Sequence, residues 1–393
     1  MRRAKIVCTL GPATAGPGVL EELVSAGMDV ARINLSHGNY SDHQAAIDAV
    51  RHATDVTGRG VAVLADLQGP KIRLGRFGNG PVMLEVGANF TITTDACVGD
   101  VNRCSTTYAG MAQDVRPEDL LLVDDGKILL RVDHVDGNDI VTEVLEGGIV
   151  SDNKGINMPG VGVSVPALAE KDIDDLRWAL RAGTDLVALS FVRSAADIAD
   201  VHAVMDEVGI RVPVLAKIEK PQAVDNLADI IAAFDGVMVA RGDLGVELPI
   251  EQVPLVQKQA ISMCRNVGKP VIVATQMLDS MVTARRPTRA EASDVANAVL
   301  DGTDALMLSA ETSVGDHPVT VVETMARIIR HVEEQSLTAM PPVAETKVGS
   351  TARALTRAAC QVGESVGATH LCTFTETGLT TRLVARHRSP IPL

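Results

Sequence analysis

The sequence predicts an α/β fold closed into an eight-stranded parallel barrel, and three observations carry that prediction. Eight short apolar runs recur along the chain with helical patterns between them. Each run is almost continuously apolar, as strands covered on both faces must be. Aromatic residues are only 2% of the chain, which leaves Val, Ile, Leu and Ala to fill the interior, the residues that pack parallel sheets and barrels. Eight β/α units in one chain favour closure into a (β/α)8 (TIM) barrel over an open doubly wound sheet.

In order, the predicted strands span 5–10, 29–35, 61–67, 185–191, 212–219, 236–243, 270–276 and 305–311. Between them, Ile198, Val201, Met205 and Val208 recur at helical spacing, with Ser194 placed to cap and Gly209 to stop. Val224, Leu227, Ile231 and Phe234 repeat the pattern behind Pro221, a residue suited to a first helical turn. Thr288-Arg289-Ala290-Glu291 reads as a capping box opening a helix that ends before Gly302.

The stretch between the third and fourth strands has a different character. Short apolar runs at 81–86, 89–93, 120–123, 127–132 and 140–145 alternate with Asp-Gly and Gly-Asn turns, predicting an inserted, β-barrel-like domain. Met340-Pro341-Pro342 marks a linker, followed by a helix at 351–366, a strand at 370–374 and a helix at 379–387. The expected organisation is therefore a barrel from 1–69 and 166–339, an insertion over 70–165, and a partial C-terminal α/β domain over 340–393.

Composition narrows the function. With 36 basic and 50 acidic residues the net charge is −14, and no basic run is present. That argues against nucleic acid as a partner, as does the lack of aromatic residues for base stacking. No apolar run is long enough to cross a bilayer, and Lys5 and Gly11-Pro12 break up any signal-peptide core after Met1-Arg2-Arg3. Six scattered cysteines without a C-x-x-C pair fit a reducing cytoplasm.

Polar residues gather at the C-terminal ends of the strands, where such barrels place their active sites. They are Arg32 and Asn34, Asp66, Ser190, Lys217 and Glu219, Arg241 and Asp243, Thr275, and Ser309 and Glu311. Members of a pair two residues apart point to the same side of a strand. Asp29 and Asp185, at the other ends, are expected to be solvated or to cap helices. Glu219 and Asp243 are hard oxygen ligands suited to Mg²⁺, while Arg32, Lys217 and Arg73 offer positive charge to a phosphate. The backbone N–H groups of the segment Gly242-Asp243-Leu244-Gly245 can hold a carboxylate. A small substrate carrying phosphate and carboxylate, with a divalent metal, fits this set.

Six segments then give a resemblance. Ile33-Asn34-Leu35-Ser36-His37-Gly38, Asp66-Leu67-Gln68-Gly69-Pro70-Lys71-Ile72-Arg73, Lys217-Ile218-Glu219, 238–245, Ala274-Thr275-Gln276-Met277-Leu278 and 286–291 occur in the order found in pyruvate kinases. The sequence resembles that family from Lys5 onward. The resemblance implies phosphoryl transfer from phosphoenolpyruvate to ADP, giving pyruvate and ATP at the last step of glycolysis, with Mg²⁺ (or Mn²⁺) and commonly K⁺. It also implies a catalytic barrel, a mobile β domain after the third strand, a C-terminal domain for effectors, and a homotetramer.

Carried over by position, the resemblance implies that Arg32 and Ser190 bind the phosphate and Lys217 stabilises the phosphoryl group in flight. Glu219 and Asp243 would hold Mg²⁺, and Gly242, Asp243 and Thr275 the carboxylate. Thr275 would lie on the proton path to enolpyruvate. Arg73, Lys154 and Asn34-Leu35-Ser36-His37 would meet the nucleotide. The K⁺ position corresponds to Asn34, Ser36, Asp66 and Leu67. Many members carry an acidic residue where this sequence has Lys71, and the lysine ammonium can stand in for the ion, so activity without K⁺ is expected. Family members usually continue further at the C-terminus, so an unfinished third domain is expected. Two other readings use the same residues: a Mg²⁺-dependent enolate lyase on this barrel, and a non-catalytic metabolite-binding remnant.

Overall fold

The computed structural model describes residues 2–124, 126–163, 166–336, 340–343 and 350–393. Eight parallel strands form a closed barrel: β1 (Lys5–Thr9), β2 (Val30–Asn34), β3 (Ala62–Asp66), β4 (Leu186–Leu189), β5 (Val214–Ile218), β6 (Gly236–Ala240), β7 (Val271–Ala274) and β8 (Ala305–Leu308). Each pairs with the next in sequence, and β8 closes on β1 from Lys5↔Ala305 to Cys8↔Leu308. All eight are predicted strands, each trimmed. On four strands the predicted C-terminal residues leave the ladder: Phe191, Thr275 and Gln276 take positive φ, and Arg241 and Ala310 begin helices, whereas Arg32, Asn34, Asp66 and Lys217 stay in it.

Two apolar layers follow from the two-residue period of a strand. Val7, Leu64, Ala188, Leu215, Met238, Ile272, Ala305 and Met307 fill the barrel interior. Their alternates, such as Ile6, Ile33, Val63, Val187, Ile218 and Val237, pack outward against the helices. The floor is tied by aspartates preceding every second strand. Asp29, Asp185, Asp235 and Asp304 each accept the first-turn N–H of the neighbouring strand, from Ile6 (2.9 Å), Val63 (2.7 Å), Val214 (2.9 Å) and Val271 (3.0 Å). Asp29 and Asp185 therefore fasten adjacent strands, where sequence reading expected solvated or helix-capping groups.

The helices follow their end signals. Ser194 caps the turn leading into Ile198–Val208, and Gly209 ends it in the left-handed conformation. Thr288 and Glu291 cap Arg289–Asp301 reciprocally. The helix expected behind Pro221 is instead two, Pro221–Asp225 and Leu227–Ala233, because Asn226 leaves helical geometry.

Between β3 and β4 the chain builds a six-stranded sheet in the order Ile156–Asn157, Leu120–Val123, Ile128–Asp136, Asp139–Glu146, Asn89–Thr93, Arg103–Ser105, beside a ribbon of Val82–Leu84 and Gly148–Val150. It has its own core around Leu74, Phe90, Ile92, Leu121, Leu130 and Ile140. Four of these strands have only two or three residues, too few to show a period in the sequence. Beyond the barrel lie the helices Thr351–Ser365 and Leu379–Ala385. The strand expected at 370–374 does not form: Leu371 N–H reaches Pro392 O at 2.8 Å, but Phe374 is 95% exposed. A strand needs a ladder partner, and the described residues supply none here. The boundaries expected at Val165 and Ala339 lie outside the described residues.

Candidate active site

The barrel's interior register carries directly into the site. Two residues beyond Val7, Val30, Leu64, Ala188 and Leu215 stand Thr9, Arg32, Asp66, Ser190 and Lys217. The period that buries Val and Leu below thus delivers a polar cluster to the mouth above.

Lys217 is the hub. Its Nζ pairs with Glu219 Oε1 at 2.9 Å and Asp66 Oδ1 at 3.3 Å, and donates to Ser190 Oγ at 2.7 Å. Ser190 Oγ in turn donates to Leu67 O at 2.7 Å. Asp66 Oδ2 takes Arg32 Nε at 2.6 Å, and Arg32 also reaches Thr9 Oγ1 at 3.0 Å. The Arg32 partner is therefore Asp66, on the neighbouring strand β3.

Burial opposes the charge on Lys217, but Asp66 and Glu219 outweigh it and raise its pKa above the ordinary lysine value. Burial likewise opposes ionised Asp66, yet Lys217 and Arg32 hold its carboxyl below the usual range. Burial pushes the Glu219 carboxyl up, with Asp243 acting in the same direction against Lys217. Glu219 Oε2 accepts Phe191 N–H at 2.7 Å.

Glu219 and Asp243 are thus two carboxylates whose charges oppose each other in a buried setting. A hard divalent cation relieves that repulsion, and the donor set fits one that keeps waters or substrate oxygens. Among the described residues no group of three or more His, Cys, Asp and Glu forms a closed metal cage.

On the opposite wall, Thr275 Oγ1 accepts Gly242 N–H at 2.7 Å and donates to Ala274 O at 2.7 Å. Thr275 and Gln276 have φ of 71° and 53°, a conformation that costs non-glycine residues roughly 1–3 kcal/mol each and collects at functional sites. Two expected mouth residues point elsewhere. Because a helix begins at Arg241, Arg241 and Asp243 do not share a strand face, and Arg241 pairs with Asp294 at 2.7 Å and with Thr275 O at 2.7 Å. Glu311, likewise in a helical turn, accepts the N–H groups of Leu278 (3.2 Å) and Ser309 (2.6 Å).

The remaining candidates divide between the insertion and the barrel. Arg73 and Lys154 sit on adjacent segments of the insertion, bridged Arg73↔Gly155. Arg73 donates to Asn153 O at 3.0 Å, and Lys154 pairs with Asp124 at 2.8 Å. Lys71 lines a cleft between insertion and barrel with Phe191, Lys220 and Asp243. Asn34 and His37 line a cavity of about 820 Å³ with Pro12, Asp42 and His43. Ser36 N–H bonds Asn34 Oδ1 at 3.2 Å. Leu35 and Leu67 are buried, so only their backbone is available. Sequence reasoning missed Thr9 and His43. Thr9 was legible, since it ends β1 two residues past interior Val7.

Fold and site define a protein of the (β/α)8 class with a polar, cation-bearing barrel mouth and an inserted β domain. The sequence family described as "Pyruvate kinase, barrel domain" matches residues 1–322. A pyruvate kinase of Mycobacterium tuberculosis is 61% identical over the whole chain, which covers 83% of that relative. The pyruvate kinase of Corynebacterium efficiens is 57% identical, with 82% of it covered, and a Synechocystis pyruvate kinase 2 is 45% identical, with 67% covered. The chain belongs to the pyruvate kinase family and is a phosphotransferase.

Proposed function

We propose that this enzyme transfers the phosphoryl group of phosphoenolpyruvate to ADP with Mg²⁺ and without a need for K⁺, as the last step of glycolysis in the cytoplasm. The observation that carries the reading is the Lys217 ammonium, fixed between Asp66, Glu219 and Ser190 at the barrel mouth.

In the reaction the enol O–P bond breaks and a bond forms from phosphorus to a β-phosphate oxygen of ADP. Negative charge spreads over the moving phosphoryl oxygens. Lys217 and Arg32 meet that charge, held in place by Asp66 so that little reorganisation is needed. Ser190 orients Lys217. The N–H groups of Gly242 and Asp243, with Thr275, take the carboxylate. Glu219 and Asp243 hold Mg²⁺, which neutralises phosphate charge when bound. Arg73 and Lys154 reach the nucleotide phosphates, and the cavity beside Asn34 and His37 has room for the nucleoside. The enolpyruvate left behind takes a proton at carbon along a path past Thr275. Lys71 supplies the fixed positive charge that K⁺ gives other members near Asn34, Ser36, Asp66 and Leu67.

The test is ADP-dependent pyruvate formation with Mg²⁺, with and without K⁺ at constant ionic strength, beside Lys217→Ala. Turnover independent of K⁺ and lost in the variant is expected. Many-fold activation by K⁺ would remove the role given to Lys71. Pyruvate without ADP would turn the reading to a lyase, and binding without turnover to a metabolite-binding protein.

A further inference from the structure

The insertion joins the barrel through two strands of chain, one leaving after β3 and one returning before the helix Glu170–Arg181. Both meet at one side chain. Asp172, in the first turn of that helix and 1% exposed, accepts Gly69 N–H on Oδ1 at 3.0 Å and Ala169 N–H on Oδ2 at 3.0 Å. Gly69 belongs to the outgoing strand and Ala169 to the returning one. A carboxylate is the simplest side chain that accepts from two such donors at once.

The outgoing strand is also pressed against the catalytic cluster. Gly69 has φ of 71°, and a Cβ there would lie 2.6 Å from the Phe191 ring and 2.9 Å from Ser190 Cβ. Ser190 holds Lys217, and Phe191 N–H holds Glu219. Movement of Gly69 is therefore felt two contacts away by the groups proposed to act on phosphate and metal.

We propose that Asp172 is a positioning residue for the reaction: it clamps both connections of the insertion together at the mouth end of the barrel and so sets where Arg73 and Lys154 stand relative to Lys217. This rests on the nucleotide role given to the insertion. Capping alone does not explain the arrangement, because the Gly69 bond spans 103 residues and contributes nothing to the helix.

Asp172→Asn keeps the size but replaces one acceptor oxygen with a donor, so one strand must be released. Hydrogen-exchange mass spectrometry on the substrate-free enzyme is expected to show the peptides holding Gly69 and Ala169 protected, and Asp172→Asn to speed exchange there by about tenfold or more, as loss of a hydrogen bond to a charged acceptor does. KM for ADP should rise several-fold, and by more than KM for phosphoenolpyruvate. Asp185→Asn, which loosens the barrel floor instead, should lower Tm without moving KM for ADP. Unprotected hinge amides in the unaltered enzyme, which needs no variant to fold, would overturn the clamp, as would unchanged exchange in Asp172→Asn. Faster exchange with an unchanged KM for ADP would keep the clamp and overturn the nucleotide role of the insertion.

Discussion

Lys217 sits within reach of two carboxylates and a hydroxyl, and its removal has two separable effects. Catalytically, on the proposed reading, Lys217→Ala deletes the charge that meets the phosphoryl group in transit. The expected outcome is a kcat about 10³-fold lower, the scale of a lost preorganised electrostatic donor, with little change in KM. Structurally it leaves Asp66 and Glu219 without their shared cation, so thermal unfolding should also move down. Ser190→Ala isolates the positioning part: Lys217 keeps its charge but loses one acceptor. A kcat reduced roughly tenfold, with a fall in Tm smaller than that of Lys217→Ala, measured by steady-state kinetics and calorimetry, is expected from one hydrogen bond to a charged group. The placement of Lys217 and Glu219 at one strand end was legible because Lys217-Ile218-Glu219 ends an apolar run and side chains two residues apart share a face. The Arg32–Asp66 pair was not, since β2 and β3 become neighbours only on folding.

Helices and strands are fixed here largely by their ends. Thr288 caps Arg289–Asp301, and its hydroxyl accepts Glu291 N–H at 3.2 Å, so Thr288→Ala should lower stability by about 1 kcal/mol, read from urea unfolding at neutral pH. A second element-level effect comes from the contact of the helices Tyr40–Thr57 and Glu170–Arg181. Tyr40 stacks on Trp178 at 5.0 Å, and His43 lies 5.8 Å from the same ring. Burial holds the His43 pKa below its ordinary value, outweighing its bond with His37. The unfolded chain then takes up a proton, near pH 6.5, that the folded chain resists. Stability should fall as pH drops below that value, and the urea midpoint of His43→Gln should fall less between pH 7.5 and 5.5. The short strands of the insertion and the break at Asn226 were hidden from sequence because they depend on partners and on local backbone geometry, not on a repeating pattern.

At the scale of the molecule, the insertion and the barrel have separate apolar cores. Replacing residues 70–165 with a short Gly/Ser linker should leave a barrel that unfolds cooperatively and still binds phosphoenolpyruvate, measured by calorimetry, while ADP-dependent turnover is lost. No helix among the described residues is long and apolar enough to cross a membrane. The net charge of −14 does not exclude phosphate chemistry, because cations are gathered locally: Arg32 and Lys217 share Asp66 at the barrel mouth.

By itself the sequence determined the eight strands, their order, the inserted β region and the residues at the strand ends. Those are written in apolar periodicity and in motifs along the chain, which local physics reads directly. Only the tertiary structure decided which charges meet. It paired Arg32 with Asp66, turned Arg241 and Glu311 away from the mouth, left 370–374 unpaired, and brought Gly69 to Asp172. Each of these depends on contacts between residues far apart in sequence, and no spacing along one strand or helix encodes them.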